Sequence, residues 1–483
     1  MQSTAESLQQ HLEHPLRRGH SPERACTGAA GGAACGDLIR ISLSVDPHSA
    51  SGEIDDAGFD ASGCGAAIAA GSAVVSLLRG TPLLDAARIS AETIEAELGG
   101  LSVAKRHAAE LAADALHRAL GWAAREHAQL APSATRTLVA MSGGVDSAVA
   151  ALLVARDGAE AVAVTLELWS DPENDGESSC CSAQAVRGAR ELAHGLGMAH
   201  LSIDLRAEFR AGVVDGWLAD HSVGLTPNPC VRCNGNVRLD AMLELGERLG
   251  AQTLATGHYA QVEDRELLRM ATDVAKDQSY VLSALSPQSL KRLRFPLGSM
   301  RKEQVRELAG EAGLSVARKP DSQDLCFLAG TRHGDFLERH GGLGNAPGPI
   351  VDQQGTVLGE HRGAHSYTVG QRHGLGIGAP QPLYVLRTDT SSNTVTVGPR
   401  EALLCTQLPV CELTLHRSGA CVDGVRVRSH GRRFACRIER DLDPGVHARA
   451  SIALAEPAER TAPGQLACLY AGDVVVGYGT IDA

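Results

Sequence analysis

Residues 38–45 (LIRISLSV) alternate apolar and polar, the period of a half-buried strand, and residues 54–59 supply an antiparallel partner. At 66–78 and 102–120 the apolar positions fall three and four apart, which predicts two amphipathic helices. Residues 1–33 are polar and Gly/Ala-rich, with little period of their own. The pattern predicts a small α+β unit over 1–125, with the run Ala131-Pro-Ser-Ala-Thr135 marking a linker over 126–136.

The rhythm then changes. A short apolar run at 137–141 leads through a glycine-rich turn into an apolar helix at 148–155. Residues 161–168 predict a strand, 183–196 a helix, 200–203 a strand and 254–256 the end of another. Strands alternating with helices at this spacing predict a parallel α/β sheet, assigned to 137–344. From about 345 helical periodicity is lost, and short β-rich runs at 384–386, 394–397, 425–428 and 474–476 lie between Gly, Pro and Asp-Gly turns. These predict a small β-rich domain over 345–404 and a β-barrel-like domain over 405–483. The expected class is therefore multidomain: α+β, then parallel α/β, then β.

Charge and cysteine usage limit the chemistry. A formal net charge of −12 argues against a generally basic nucleic-acid coat. One local candidate surface remains, with arginines 417, 426, 428, 432, 433, 437 and 440 against Asp423 and Glu439. Lysine is scarce, at positions 105, 276, 291, 302 and 319 alone. No apolar run is long enough to span a membrane, and the polar start does not read as a secretory signal, so a cytoplasmic location is expected. There the 13 cysteines stay reduced, which favours metal, redox or sulfur chemistry over a disulfide scaffold.

Ser142-Gly143-Gly144-Val145-Asp146-Ser147 sits at a predicted strand end and opens a helix. Backbone N–H groups at such a turn form a nest for anionic oxygens at the positive end of the helix dipole. It is not a kinase-type P-loop, because no Gly-Lys dipeptide occurs anywhere in the chain. Further on, TPNPCVRCN (226–234) carries a Cys-x-x-Cys and DSQDLCF (321–327) a lone cysteine. The former reads as a metal or cluster site, a redox pair or a sulfur carrier.

The glycine loop resembles the pyrophosphate-binding loop of the ATP-pyrophosphatase superfamily. From about 137 onward the chain resembles the tRNA-specific 2-thiouridylases within it. The resemblance is carried by SGGVDS, TPNPCVRCN, ATGHYA (255–260), KDQSY (276–280), FPLG (295–298), DSQDLCF, YTVGQRHGLG (367–376) and PGQ (463–465), in family order. It implies ATP and magnesium as cofactors, with Ala140, Met141, Ser142, Gly143, Gly144, Val145, Asp146, Ser147, Leu166 and Gly257 lining the ATP site and Asp146 helping to hold the metal. It implies Cys233 as nucleophile and Cys326 as the persulfide carrier, supplied by a cysteine desulfurase or a sulfur-relay donor, with a transient disulfide in one route. Asn228, Pro229 and Cys230 would contact the target base, and His258, Lys276, Asp277, Gln278 and Gln465 the tRNA. Arg428 and Ser429 stand where the family often has a tRNA-contacting Arg–aromatic pair, and serine departs from it.

Cys230 is a second departure, since many members carry aspartate there. Cys230, Cys233 and Cys326 thereby resemble the three-cysteine set that holds a [4Fe-4S] cluster in cluster-dependent tRNA thiolases, and both sulfur routes stay open. Cys180-Cys181 stands where some relatives carry a cysteine and is assigned no role.

Residues 8–120 resemble the U-type iron–sulfur cluster scaffold, through His14-Pro-Leu-Arg-Arg-Gly19, Ala34-Cys-Gly-Asp37, Gly63-Cys-Gly65 and His107 with Leu111–Ala115. The resemblance implies a zinc, iron or cluster site at Cys35, Asp37, Cys64 and His107, with Ala108 in place of the third cysteine. The expected activity is ATP-dependent thiolation of the wobble uridine of tRNA at C2. The competing readings are an adenylating amidotransferase-type ligase and an iron–sulfur or metal assembly protein.

Overall fold

The computed structural model describes residues 4–32, 36–171, 182–264, 266–321, 325–328 and 330–482. The N-terminal unit begins with helix α1 (Thr4–Glu13), followed by strands β1 (Cys26–Gly31), β2 (Leu38–Val45) and β3 (Ile54–Ser62), antiparallel in the order β1-β2-β3. Helices α2 (Gly65–Leu78), α3 (Leu83–Ala86), α4 (Ala91–Glu97) and α5 (Arg106–Glu126) complete it. Ile39, Ile41 and Leu43 of β2 are fully buried while Leu38 and Arg40 face out, as the alternation predicts.

Residues 4–32 carry more regular structure than their pattern implies. α1 is polar apart from Leu8 and Leu12, which at i,i+4 pack on the core, and β1 (CTGAAG) is built from residues too small to register as apolar. The segment 126–136 is also not a free linker. α5 runs to Glu126, and β4 (Ser133–Ala140) already pairs at Ser133 with Ala251.

Behind β4 come α6 (Val145–Arg156), β5 (Glu160–Glu167), α7 (Ala183–Gly195), β6 (Ala199–Asp204) and β7 (Ala251–Ala255). With a short strand at Leu293–Arg294 they form a five-stranded parallel sheet, ordered from that strand through β7, β4 and β5 to β6. β5 is buried from Ala161 to Glu167, as expected for a parallel strand covered on both faces.

α5 packs on β1 and β2 and also on β6, so one helix belongs to two cores. Polar ties reinforce this seam. Arg190 and Arg187 bind Asp114 at 2.8 and 2.7 Å, Arg118 binds Glu167 at 3.1 Å, and the His200 amide donates to the Ala87 carbonyl at 2.9 Å.

The remainder is β. Val357–His361, Gly348–Val351, Thr394–Gly398 and Tyr384–Asp389 form a four-stranded sheet in that order. Leu404–Leu415, Gly445–Glu459, Phe434–Ile438, Gly424–Arg426, Leu466–Ala471 and Val474–Ile481 follow one another around a sheet that closes where the first pairs with the last. The hairpin Gln261–Glu263 and Leu267–Arg269, from within 137–344, extends this sheet through Arg269 opposite Val474. The hairpin's edge hydrogen bonds are thus met by a strand about two hundred residues downstream, in the barrel. Among the described residues, no helix is long and apolar enough to cross a membrane.

Candidate active site

β4 delivers the chain into Ser142–Ser147 at the carboxyl end of the parallel sheet, the end where α/β folds bind ligands. Gly143 has φ +68°, a left-handed conformation that turns successive amides the same way. Ser147 Oγ accepts from the Ser142 amide at 3.1 Å and donates to the Gly144 carbonyl at 3.0 Å, holding the turn shut. No side chain caps the first turn of α6, so its dipole faces the mouth of the nest. Ala140, Met141 and Val145 are buried beneath it, and Leu166 is buried near the end of the adjacent β5.

Gly257 does something more specific than line a pocket. A Cβ there would lie 2.7 Å from both Asp146 C and Ser147 N, inside the backbone of the nest. Gly257→Ala is therefore expected to displace the nest and lower the rate of ATP-dependent pyrophosphate release by about 100-fold, the cost of a misplacement of about 1 Å. Steady-state release by the purified chain checks this, and a rate within twofold of the parent refutes it.

An ion network surrounds the loop. Both Asp146 oxygens accept from buried Lys302 Nζ at 2.8 Å, and Oδ1 also accepts from the Tyr259 hydroxyl at 2.8 Å. The same ammonium reaches Asp321 at 2.8 Å, which further binds Lys276 at 2.7 Å and Arg306 at 2.9 Å. Burial alone would raise the Asp321 carboxyl, but Lys276 and Lys302 outweigh it and hold it down to about 2. Burial and the Asp146 charge push the Tyr259 phenol far above its ordinary value. Lys319 Nζ donates to the Gly143 carbonyl at 2.9 Å. Tyr259, Lys302, Arg306 and Lys319 went unnoticed in the sequence. The available signal was lysine scarcity, since Lys276, Lys302 and Lys319 all come to this loop.

The Cys-x-x-Cys opens a helix. Asn228 Oδ1 accepts from the Cys230 amide at 3.1 Å, Pro229 takes the first helical position, and Pro229–Arg232 runs on into a π-helical stretch, Cys233–Arg238. Cys230 and Cys233 thus share one face at i,i+3. Burial raises the Cys230 thiol, with Arg238 opposing, and Cys233 is 8% exposed. Cys326 is part-buried in a turn closed by Leu328 N donating to Leu325 O at 3.0 Å. Its neighbour Phe327 is anchored among Trp169, Phe209, Trp217 and Phe336, with ring centroids 5.2–6.4 Å away. Cys326 lies five positions after Asp321, so the cysteine is tethered within at most about 18 Å of the ion network. No disulfide joins the described cysteines.

Among the described residues the one trio of ligating groups within 4.8 Å of each other is Asp37, Cys64 and His107. Cys230 and Cys233 lie on one helix and Cys326 on a separate segment, and the three thiols are not within that distance of one another.

The residues expected to contact tRNA divide into two groups. Asp277 is buried. Its Oδ2 accepts from Arg426 at 2.6 Å and Ser279 at 2.7 Å, and its Oδ1 from the Ala271 amide at 2.9 Å. The Asp277 carboxylate is thus used inside the protein, and Arg426 is buried apart from the exposed arginines. Arg433 and Arg417 pair with Asp423 and Glu263, while Arg428, Arg432, Arg437 and Arg440 are exposed and Ser429 is half-buried beside them. Lys276 and His258 are part-buried, and burial with the Arg238 charge pushes His258 down to about 3, so its imidazole is neutral at physiological pH. Gln278 Oε1 accepts from the Tyr259 amide at 2.9 Å, and Gln465 donates to the Thr226 carbonyl, steadying the start of the cysteine segment.

In the N-terminal unit, Asp37 Oδ2 lies 3.2 Å from Cys64 Sγ and 3.0 Å from His107 Nε2, and its Oδ1 accepts from the Cys64 amide at 2.8 Å. Burial would raise Asp37, but the Cys64 amide and the His107 imidazole hold its carboxyl below the usual range. Ala108, at the third-cysteine position, is fully buried in α5. Cys35 and Cys180-Cys181 lie outside the described residues.

The fold is thus a parallel-sheet α/β enzyme, with a glycine nest at its strand ends, joined to a small α+β unit and two β-domains. Four family models match these units: a NifU-like N terminal domain over residues 4–128, a tRNA methyl transferase HUP domain over 135–330, a tRNA methyl transferase PRC-barrel domain over 334–399 and an aminomethyltransferase beta-barrel domain over 406–481. The bifunctional protein NifU/MnmA of Rubrobacter xylanophilus is 42% identical over 98% of this chain and 97% of its own length. The tRNA-specific 2-thiouridylases MnmA of Thermobifida fusca and Geobacter metallireducens are 45% and 40% identical, each over 72% of this chain and 95% and 97% of their own. The chain belongs to the tRNA-specific 2-thiouridylase family, in the bifunctional form with a NifU-like N-terminal domain.

Proposed function

We propose that this chain thiolates the wobble uridine of tRNA at C2 in an ATP-dependent reaction, taking sulfur through Cys326. The observation that carries this reading is the tie between the nest and the Cys326 segment: Asp321, which begins that segment, shares Lys302 with Asp146 of the nucleotide loop. A carbonyl oxygen is a poor leaving group. Attack of the C2 oxygen on the α-phosphate of ATP releases pyrophosphate and leaves AMP as a good one. The nest suits the departing anion, with its aligned amides and an uncapped helix start. Asp146 offers the hard oxygen donors magnesium prefers, which neutralises pyrophosphate when bound, and its Lys302 contact must then be shared or displaced.

A terminal persulfide sulfur on Cys326, loaded by a cysteine desulfurase or relay protein, attacks C2 and expels AMP. Cys233 thiolate then attacks the Cys326 sulfur, freeing the 2-thiouridine and leaving a Cys233–Cys326 disulfide for an external thiol to reduce. In the variant route Cys233 releases hydrosulfide, which attacks C2. In the cluster route Cys230, Cys233 and Cys326 would instead hold the cluster as thiolates, which the metal itself keeps deprotonated. Exposed Arg428 supports tRNA contact at the barrel. Nucleoside analysis of a deletion strain tests the function: 2-thio derivatives of wobble uridine disappear, whereas unchanged levels sink the reading.

Asp37, Cys64 and His107 make a three-ligand set suited to zinc or iron, which would cross-link β2, the β3–α2 turn and α5 when bound. Cys64→Ser is expected to weaken zinc binding to the full chain by at least about tenfold, a loss that even an outer-sphere partner can cause. Competition with a chelating dye checks this, and equal affinity for both chains removes the site.

A further inference from the structure

The nucleotide loop lacks the lysine that a P-loop carries within its own motif. The fold brings lysines to it from elsewhere, and they are not equivalent. Lys302 is buried and shared between the carboxylates of Asp146 and Asp321, and Lys276 is spent on Asp321. Lys319 differs from both. Its side chain is exposed, its ammonium sits 2.9 Å from the Gly143 carbonyl, and among the described residues it has no carboxylate partner. A cation without a carboxylate partner among the described residues thus stands at the lip of an anion nest, held by a neutral acceptor that a phosphoryl oxygen outcompetes.

From this geometry we infer that Lys319 binds the β- and γ-phosphoryl oxygens of ATP and holds the leaving pyrophosphate, a role that rests on the nucleotide reading of the nest. Gly143 and Lys319 are 176 positions apart in sequence, so no local motif reveals the pair. Lys319 also lies on the segment that carries Asp321 and Cys326. Nucleotide in the nest therefore pulls on the same stretch of chain that presents sulfur, which links phosphate engagement to the position of Cys326.

The test uses the full chain and two probes, inorganic pyrophosphate as product inhibitor and AMP as a ligand that does not reach the β-phosphate position. Lys319→Gln is expected to weaken pyrophosphate inhibition roughly 10- to 100-fold, the span for one hydrogen bond to a charged group, and to raise the ATP KM. AMP affinity and the thermal transition stay unchanged, and Lys319→Arg restores most of the pyrophosphate inhibition. Unchanged pyrophosphate inhibition in Lys319→Gln overturns the assignment. Parallel loss of AMP and pyrophosphate binding also overturns it, in favour of a structural role. A parent chain that binds neither probe sinks the nucleotide reading itself.

Discussion

Cys326→Ser is expected to make no detectable 2-thiouridine while still releasing pyrophosphate from ATP when tRNA is present. A serine hydroxyl has nearly the shape of the thiol but cannot carry a second sulfur atom, so the nucleophile is lost and the scaffold is not. Phe327 still anchors the turn in its aromatic cluster, and Asp321 still binds Lys276, Lys302 and Arg306. The nest and its adenylation chemistry are therefore untouched. The loss of thiolation is expected to exceed about 10,000-fold, as for removal of the nucleophile in other covalent mechanisms. Mass spectrometry of digested tRNA and a coupled pyrophosphate assay on the same preparation separate the half-reactions. Residual thiolation at a tenth of the parent rate refutes Cys326 as the carrier. Loss of both activities indicates that the side chain also supports the nest.

The glycine loop, the paired cysteines and the strand–helix rhythm were legible because each is local. Gly143 needs its left-handed φ whatever surrounds it, and β5 announces its double burial through the apolar run Ala161–Val164. What stayed hidden depends on contacts between distant segments. Lys302 reads as an unremarkable helix residue until Asp146 and Asp321 meet it. The hairpin Gln261–Arg269 shows no sign of its barrel partner, and α5 gives no hint that its second face covers β6. The pairing of Asp277 stayed hidden for the same reason. A charged residue in a recognisable motif suggests a ligand, and only Arg426, 149 positions away, shows that its charge is used inside the protein.

That buried pair makes the second prediction. Asp277→Ala is expected to destabilise the seam between the α/β domain and the barrel by about 3–5 kcal/mol, the cost of stranding one member of a buried ion pair. The side chains of Arg426 and Asp277 are 7% and 0% exposed, so water cannot replace the lost carboxylate, and among the described residues the Arg426 Nε already lacks a partner. The Ser279 hydroxyl and the Ala271 amide lose their acceptor as well. The neighbouring contacts that cross the same seam, Ser279 with Tyr470 at 3.1 Å and Tyr280 with the Leu466 carbonyl at 3.0 Å, then bear more of the load. Lys276 and Gln278 flank the lost group, so the slack reaches Asp321 and Tyr259 at the nucleotide loop. A chain of several domains does not unfold in one step, so amide hydrogen exchange is the right probe. Faster exchange is expected at 276–280 and 424–426, with little change in the three-stranded N-terminal sheet. Arg426→Met combined with Asp277→Leu, which removes both charges, should recover part of the lost protection. Parent-like exchange in Asp277→Ala would show that the ion pair does not hold the seam.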